Sequence, residues 1–155
     1  MHNNEILVKL AERTITYFKT DLSLPIEDGY EILDVNKINY LDITTLISLS
    51  NDMIGTVGMS VSKELSIEMV KNFVYGDISD EDIEELSSEN VAETLNITLG
   101  NILKELTIIK EGGSVNISTP YTMHNSVNIT KKRGGSMYLC RLKLKEEGIL
   151  LSYFM

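Results

Sequence analysis

The chain has 155 residues and a formal net charge of −9, from 23 acidic and 14 basic side chains. That balance argues against a nucleic-acid or anionic-membrane surface, either of which needs a concentrated positive field. The length suits one domain with its own core; with no apolar run able to span a bilayer and no signal-peptide pattern at Met1–Asn4, the expected location is cytoplasmic.

Ile6, Leu7, Leu10, Ala11, Thr14, Ile15 and Phe18 recur at helical spacing and predict an amphipathic helix over 5–19, with Asn3 or Asn4 as its cap. Pro25, Asp28 and Gly29 then mark a break. From Tyr30 the period changes to two, predicting strands over 30–35, 44–50 and 54–62, the last two separated by Asn51 and Asp52 as in a hairpin. Gly55 and Gly58 mark a bulge or a close approach of another element. Helical spacing returns over 63–76, through Leu65, Ile67, Met69, Val70 and Phe73, with Ser62 as cap and Gly76 as stop.

Ser79 followed by Asp80, Glu81 and Asp82 begins a further helix with acids on its positive end. It is expected to run to about Ile109, before Gly112 and Gly113, with Asn90 as the point where it would bend or divide. Extended pieces follow at 114–120 and 127–130. Around 138–144, Tyr138, Cys140, Leu142 and Leu144 alternate with Leu139, Arg141 and Lys143; a turn at 145–148 leads to a last strand over 149–154. Lys131, Lys132 and Arg133 precede Gly134 and Gly135 and read as a solvated turn. Cys140 reads as a reduced core residue, and His2 and His124 are too isolated for a zinc site. The pattern predicts one α+β domain over 1–155, with a largely antiparallel sheet and two long helices.

Within the second long helix, VAETLNITLGNILKEL (Val91–Leu106) is two-sided. Val91, Leu95, Thr98, Leu99, Ile102 and Leu106 project to one side, and Glu93, Asn96 and Gly100 to the other, with Glu89 one turn earlier. Periodicity alone is satisfied by the wet side of a core-packed helix. A flat polar face centred on glycine also lets another backbone approach closely, although glycine weakens a helix interior by about 1 kcal/mol relative to alanine.

ETLNITLGNILKEL resembles the active helix of the CheC/CheX/FliY family of chemotaxis phosphatases, and the chain resembles most the CheX branch. The family signature, a glutamate, two residues and an asparagine, falls on Glu93 and Asn96, with a small residue at Gly100. GTVGMSVSKELSIEMVKNFVYG resembles the family's strand and helix before the active one, and VNISTP (Val115–Pro120) its following strand and proline. The chain departs from the family at Thr94-Leu95, where a glycine or alanine usually precedes the asparagine. LVKLAERTITYF lacks the second signature typical of the CheC branch, which favours a single-site assignment.

The resemblance implies a homodimeric phosphatase acting on the aspartyl phosphate of a CheY-like response regulator. Asn96 would orient the attacking water, since an amide both accepts and donates. Glu93 would pair with the regulator's lysine, and Glu89 and Gly100 would serve docking. Mg2+ would sit in the regulator's acidic pocket, with no cofactor in this chain. Nucleic acid and membranes are not expected partners. A non-catalytic relative that binds a regulator or scaffolds signalling proteins is the alternative, distinguished by the absence of turnover.

Overall fold

The computed structural model describes residues 4–73 and 79–155. The expected stop at Gly76 lies outside the described residues. Helix α1 spans Glu5–Thr20 and is followed by β1 (Glu31–Asp34), β2 (Lys37–Asn39), β3 (Ile43–Asn51) and β4 (Gly55–Val61). Next come α2 (Lys63–Phe73) and α3 (Asp80–Ile102), a 3-10 turn at Leu103–Glu105, and the short α4 (Thr107–Lys110). Strands β5 (Val115–Ile117), β6 (Tyr121–His124), β7 (Asn128–Thr130), β8 (Met137–Leu144) and β9 (Glu147–Phe154) complete the order.

The main sheet runs β1-β8-β9-β4-β3, and β3 then pairs with both β5 and β6 along its other edge. Every pairing is antiparallel. β5 covers the Leu49–Asn51 end of β3 and β6 covers Ile43–Leu46. Ser118 closes the gap: its N–H donates to Ser48 O, and its Oγ accepts from Ser48 N–H, both at 2.9 Å. The two C-terminal strands lie inside the sheet. β9 sits between β8 and β4, and β8 between β1 and β9, so neither offers an unpaired edge.

Alternation along the strands sorts two cores. Ile43, Ile47, Val57, Met59, Cys140, Leu142, Ile149 and Leu151 face α1, α2 and α3. Leu46, Met137, Leu139, Leu150 and Phe154 face the two-stranded ribbon β2–β7, whose Ile38 is fully buried. Cys140 is a free thiol in the first core, and burial pushes its pKa up to about 12, so it stays neutral near pH 7. On the ribbon side Tyr40 Oη and Ser152 Oγ share a hydrogen bond of 2.7 Å over Gly58. A Cβ on Gly58 would come within 2.5 Å of that Ser152 oxygen, which is the close approach its sequence position suggested. Gly55 carries φ +137° and lies against Tyr153, whose hydroxyl donates to Ile54 O at 2.8 Å.

Three expectations change in detail. Asn4 takes the N-cap position of α1 but makes no side-chain cap bond. Asn90 stays within α3, buried, without dividing it. The division falls instead after Ile102, where the 3-10 turn and an extended Leu106 (φ −69°, ψ 140°) separate α4. Its cause is distant in sequence. The Glu5 carboxylate accepts from Thr107 N–H at 2.7 Å and from Thr107 Oγ1 at 2.8 Å, satisfying the start of α4 from the first turn of α1.

Candidate functional site

α3 is held at both ends. At its start Ser79 Oγ accepts from Asp82 N–H at 3.3 Å, with Asp80, Glu81 and Asp82 in the first turn. At its finish the clamp between Glu5 and Thr107 fixes the chain just beyond the 3-10 turn. Between them, Val91, Leu95 and Leu99 are fully buried in the helix-side core. Leu95, one of the two residues departing from the family pattern, is therefore part of the core packing.

Thr94, the other, is also fully buried and spends its hydroxyl on the helix itself, donating to Asn90 O at 2.8 Å. Thr98 repeats the arrangement toward Thr94 O at 2.8 Å. These back-bonds satisfy hydroxyls that burial would otherwise penalise. Facing them from α1 is Tyr17, 2% exposed. Its phenol pKa is raised, chiefly by burial; Asp21 and Glu93 raise it further, while Thr94 and Arg13 oppose. The Tyr17 hydroxyl, Thr14 Oγ1 and Asn90 Oδ1 are buried without a hydrogen-bond partner among the described residues. Thr94, Asn90 and Tyr17 thus form a polar seam behind the outward face, and helical periodicity did not distinguish it from ordinary core.

The outward face carries every residue expected there. Glu89, Glu93 and Gly100 are exposed, and Asn96 is half-buried beside Leu95. Glu93 and Asn96 stand one turn apart on the same side, with Gly100 one turn further. A Cβ built on Gly100 would meet nothing within 4 Å, so the glycine is not packed against its own subunit. A cavity of about 400 Å³, bordered by Ile54, Ile129, Lys131 and Phe154, lies against the ribbon β2–β7. Among the described residues no group of three or more His, Cys, Asp or Glu is placed to hold a metal ion. Nor is any described helix long and apolar enough to cross a membrane.

Two residues at the border of the face escaped the sequence reading. Arg13 of α1 reaches across to α3, where its Nε donates to Asn101 Oδ1 at 3.0 Å. Asn101 is exposed and follows Gly100 directly. The helical period sets Asn101 about 100° round the helix from Gly100, on the flank that meets α1, and nothing local in the sequence links it to a residue so far away.

The arrangement is a convex helix face presenting an amide, a carboxylate and an unobstructed glycine.

No curated protein sequence matches the chain. Solved structures share its fold at low identity. Chemotaxis protein CheX from Desulfovibrio desulfuricans aligns with a TM-score of 0.76 at 15% identity, over 96% of this chain and 97% of that one. CheX from Vibrio vulnificus aligns with a TM-score of 0.76 at 16% identity, over 97% and 99%. A chain from the CheX-CheY-BeF3-Mg2+ complex of Borrelia burgdorferi aligns with a TM-score of 0.68 at 14% identity, over 96% of each. The family model for chemotaxis phosphatase CheX matches residues 43–142, from the start of β3 into β8, and so contains Glu89, Glu93, Asn96 and Gly100. The chain belongs to the chemotaxis phosphatase CheX family.

Proposed function

We propose that this chain hydrolyses the aspartyl phosphate of a CheY-like response regulator, with Glu93 and Asn96 on α3 entering the regulator's active site. The observation that carries this reading is the placement of the two side chains one turn apart on the solvent side of α3, with Gly100 unobstructed. The Borrelia complex, in which a CheX is bound to CheY carrying BeF3 and Mg2+, supports the choice of partner.

The chemistry asks little of this chain. A water oxygen forms a bond to phosphorus, the bond from phosphorus to the aspartyl oxygen breaks, and the carboxylate leaves with the electron pair. The protons of the water pass to the phosphate and to solvent. An acyl phosphate is intrinsically labile, so catalysis consists mostly of placing the water in line. The Asn96 carbonyl oxygen accepts from that water while its NH2 donates to a neighbouring oxygen. A carboxylate there would repel the phosphoryl group. Glu93 pairs with the regulator's lysine and sets the depth of insertion. Mg2+ is held by the regulator.

The same proposal places the protein in the cytoplasm, as a single-site, CheX-like homodimer. The edges of β1 and of β5–β6, unpaired among the described residues, would be available to a second copy, and sedimentation of the purified protein tests that association. The catalytic claim is tested by mixing a phosphorylated regulator with a substoichiometric amount of this chain. Multiple turnovers of phosphate release are expected. Binding without acceleration would make the chain a non-catalytic regulator-binding protein instead.

A further inference from the structure

The outward stripe of α3 is electrically polarised along its length. Glu89 and Glu93 occupy its first half and Asn96 and Gly100 its middle, and exposed Lys104 stands just past the helix end, in the 3-10 turn. Arg13 adds a second cation at that end. Its bond to Asn101 Oδ1 tethers the guanidinium on the α1 flank of the face, leaving the rest of its five N–H donors for another acceptor. Neither cation forms an ion pair among the described residues, and neither do Glu89 and Glu93. An unpaired acidic end and an unpaired basic end on one docking face can be matched by a partner in only one orientation.

We propose that Arg13 and Lys104 form the cationic pole of the docking face, receiving carboxylates on the rim of the receiver domain, while Glu89 and Glu93 form the opposite pole. This rests on the reading of the chain as a receiver-directed phosphatase. Position selects the partner group. Asn101 lies roughly 7.5 Å along the helix axis from Asn96, at 1.5 Å per residue. A guanidinium tethered there reaches the rim of the partner's pocket and not the phosphoryl oxygens in line with Asn96. A reversed pose would set like charges against each other at both ends. The cationic pole therefore acts on encounter and orientation, and its effect falls on binding and KM and is weakened by salt.

The test uses a panel of CheY-like receiver domains loaded with beryllofluoride and Mg2+, titrated against the wild-type chain, R13E, K104E and R13E/K104E at low and high salt. Turnover of the phosphorylated receivers is measured in parallel, with K132E, on an exposed turn away from α3, as the charge control. The double variant is expected to weaken binding and raise KM by about tenfold or more at low salt, with a smaller change at high salt, as for rim charges. Its kcat and melting temperature stay near wild type, and K132E leaves binding unchanged. Should R13E fail to fold, K104E alone carries the same comparison, because Lys104 is exposed and engages no described side chain. Unchanged binding and KM in a folded variant would overturn the cationic pole, as would an equal loss from K132E. A fall in kcat at constant KM would also overturn it, by placing these cations at the reacting group. Binding by the wild type without turnover, lost in the double variant, would remove the phosphatase reading and keep the docking polarity. No binding by the wild type to any loaded receiver would remove both.

Discussion

α1 buries Ile6, Leu7, Leu10, Ala11, Ile15 and Phe18, with Thr14 and Tyr17 as its two hydroxyl-bearing members, whereas α3 buries Ser87, Asn90, Thr94 and Thr98 among its Ile83, Val91, Leu95, Leu99 and Ile102. The two helices lie side by side and antiparallel on the same face of the sheet, as the contacts of Glu5 with Thr107 and Arg13 with Asn101 show. α1 is held by apolar burial, which is cheap to encode and tolerant of neighbours. α3 is held by fewer apolar anchors, by hydroxyls turned back on its own carbonyls, and by clamps at its two ends. Its outer side is thereby left free of packing duties. The contrast teaches that one helix can carry stability on one side and leave a polar face unpacked on the other, with little overlap between them.

Adjacent residues of α3 give the sharpest way to break that separation. Leu95→Ala removes a fully buried side chain and should cost about 2–5 kcal/mol of stability, read by denaturant melts. Asn96→Ala should leave the melt nearly unchanged and lower turnover by about 10²-fold, as for other lost positioning contacts. A large stability loss in N96A, or full turnover in a folded N96A protein, would show that the two sides are not separable.

Glu93 tests whether the outer side works only in the complex. In the free protein it is exposed, where a carboxylate adds little to stability. Docked, it would meet the regulator's lysine with water partly excluded, and losing one partner of such a pair typically costs about 2–5 kcal/mol. Glu93→Gln should therefore weaken the complex without moving the melting temperature. A double-mutant cycle with the neutralised lysine, using a stable phosphoryl mimic, should be non-additive; additive losses would return Glu93 to an ordinary surface acid.

Gly100 should behave differently in the two assays. With nothing within 4 Å of an added Cβ, Gly100→Ala should stabilise the free chain by up to about 1 kcal/mol. Gly100→Leu should instead obstruct the regulator while leaving the fold intact. Regulator titrations of G100L indistinguishable from wild type would remove the docking role.

The smallest effect is expected in the seam. The Tyr17 hydroxyl is buried with no hydrogen-bond partner among the described residues, so Tyr17→Phe should be neutral or stabilising by about 1 kcal/mol. A marked loss of turnover in Y17F would mean that the seam positions the outer face and that the two sides communicate.

The outer stripe was legible in the sequence because Glu89, Glu93, Asn96 and Gly100 all belong to one local helical period. The long strands were legible for the same reason at period two: Tyr138, Cys140, Leu142 and Leu144 do face the helix-side core. What could not be read is what distance creates. The end of α3 was expected near Ile109, but Glu5 satisfies Thr107 from 102 positions away and starts a separate turn. β2 and β6 are three and four residues long, too short to show a period, and exist through their pairing with β7 and β3. Arg13 belongs to the border of the site only because α1 packs against α3.

The strand order has a consequence for how the protein is made. β8 and β9, which follow the other described strands in the chain, are the ones that join β1 to β4. Until they emerge from the ribosome, β1 has no described strand partner, and the sheet behind α1 lacks its centre. Loop closure over so many residues is slow and comes late. A nascent chain should therefore gain protease resistance in one late step, as residues 137–154 emerge, rather than in stages. Protection of chains arrested before Met137 would show that β3, β4 and the helices form an independent folding unit.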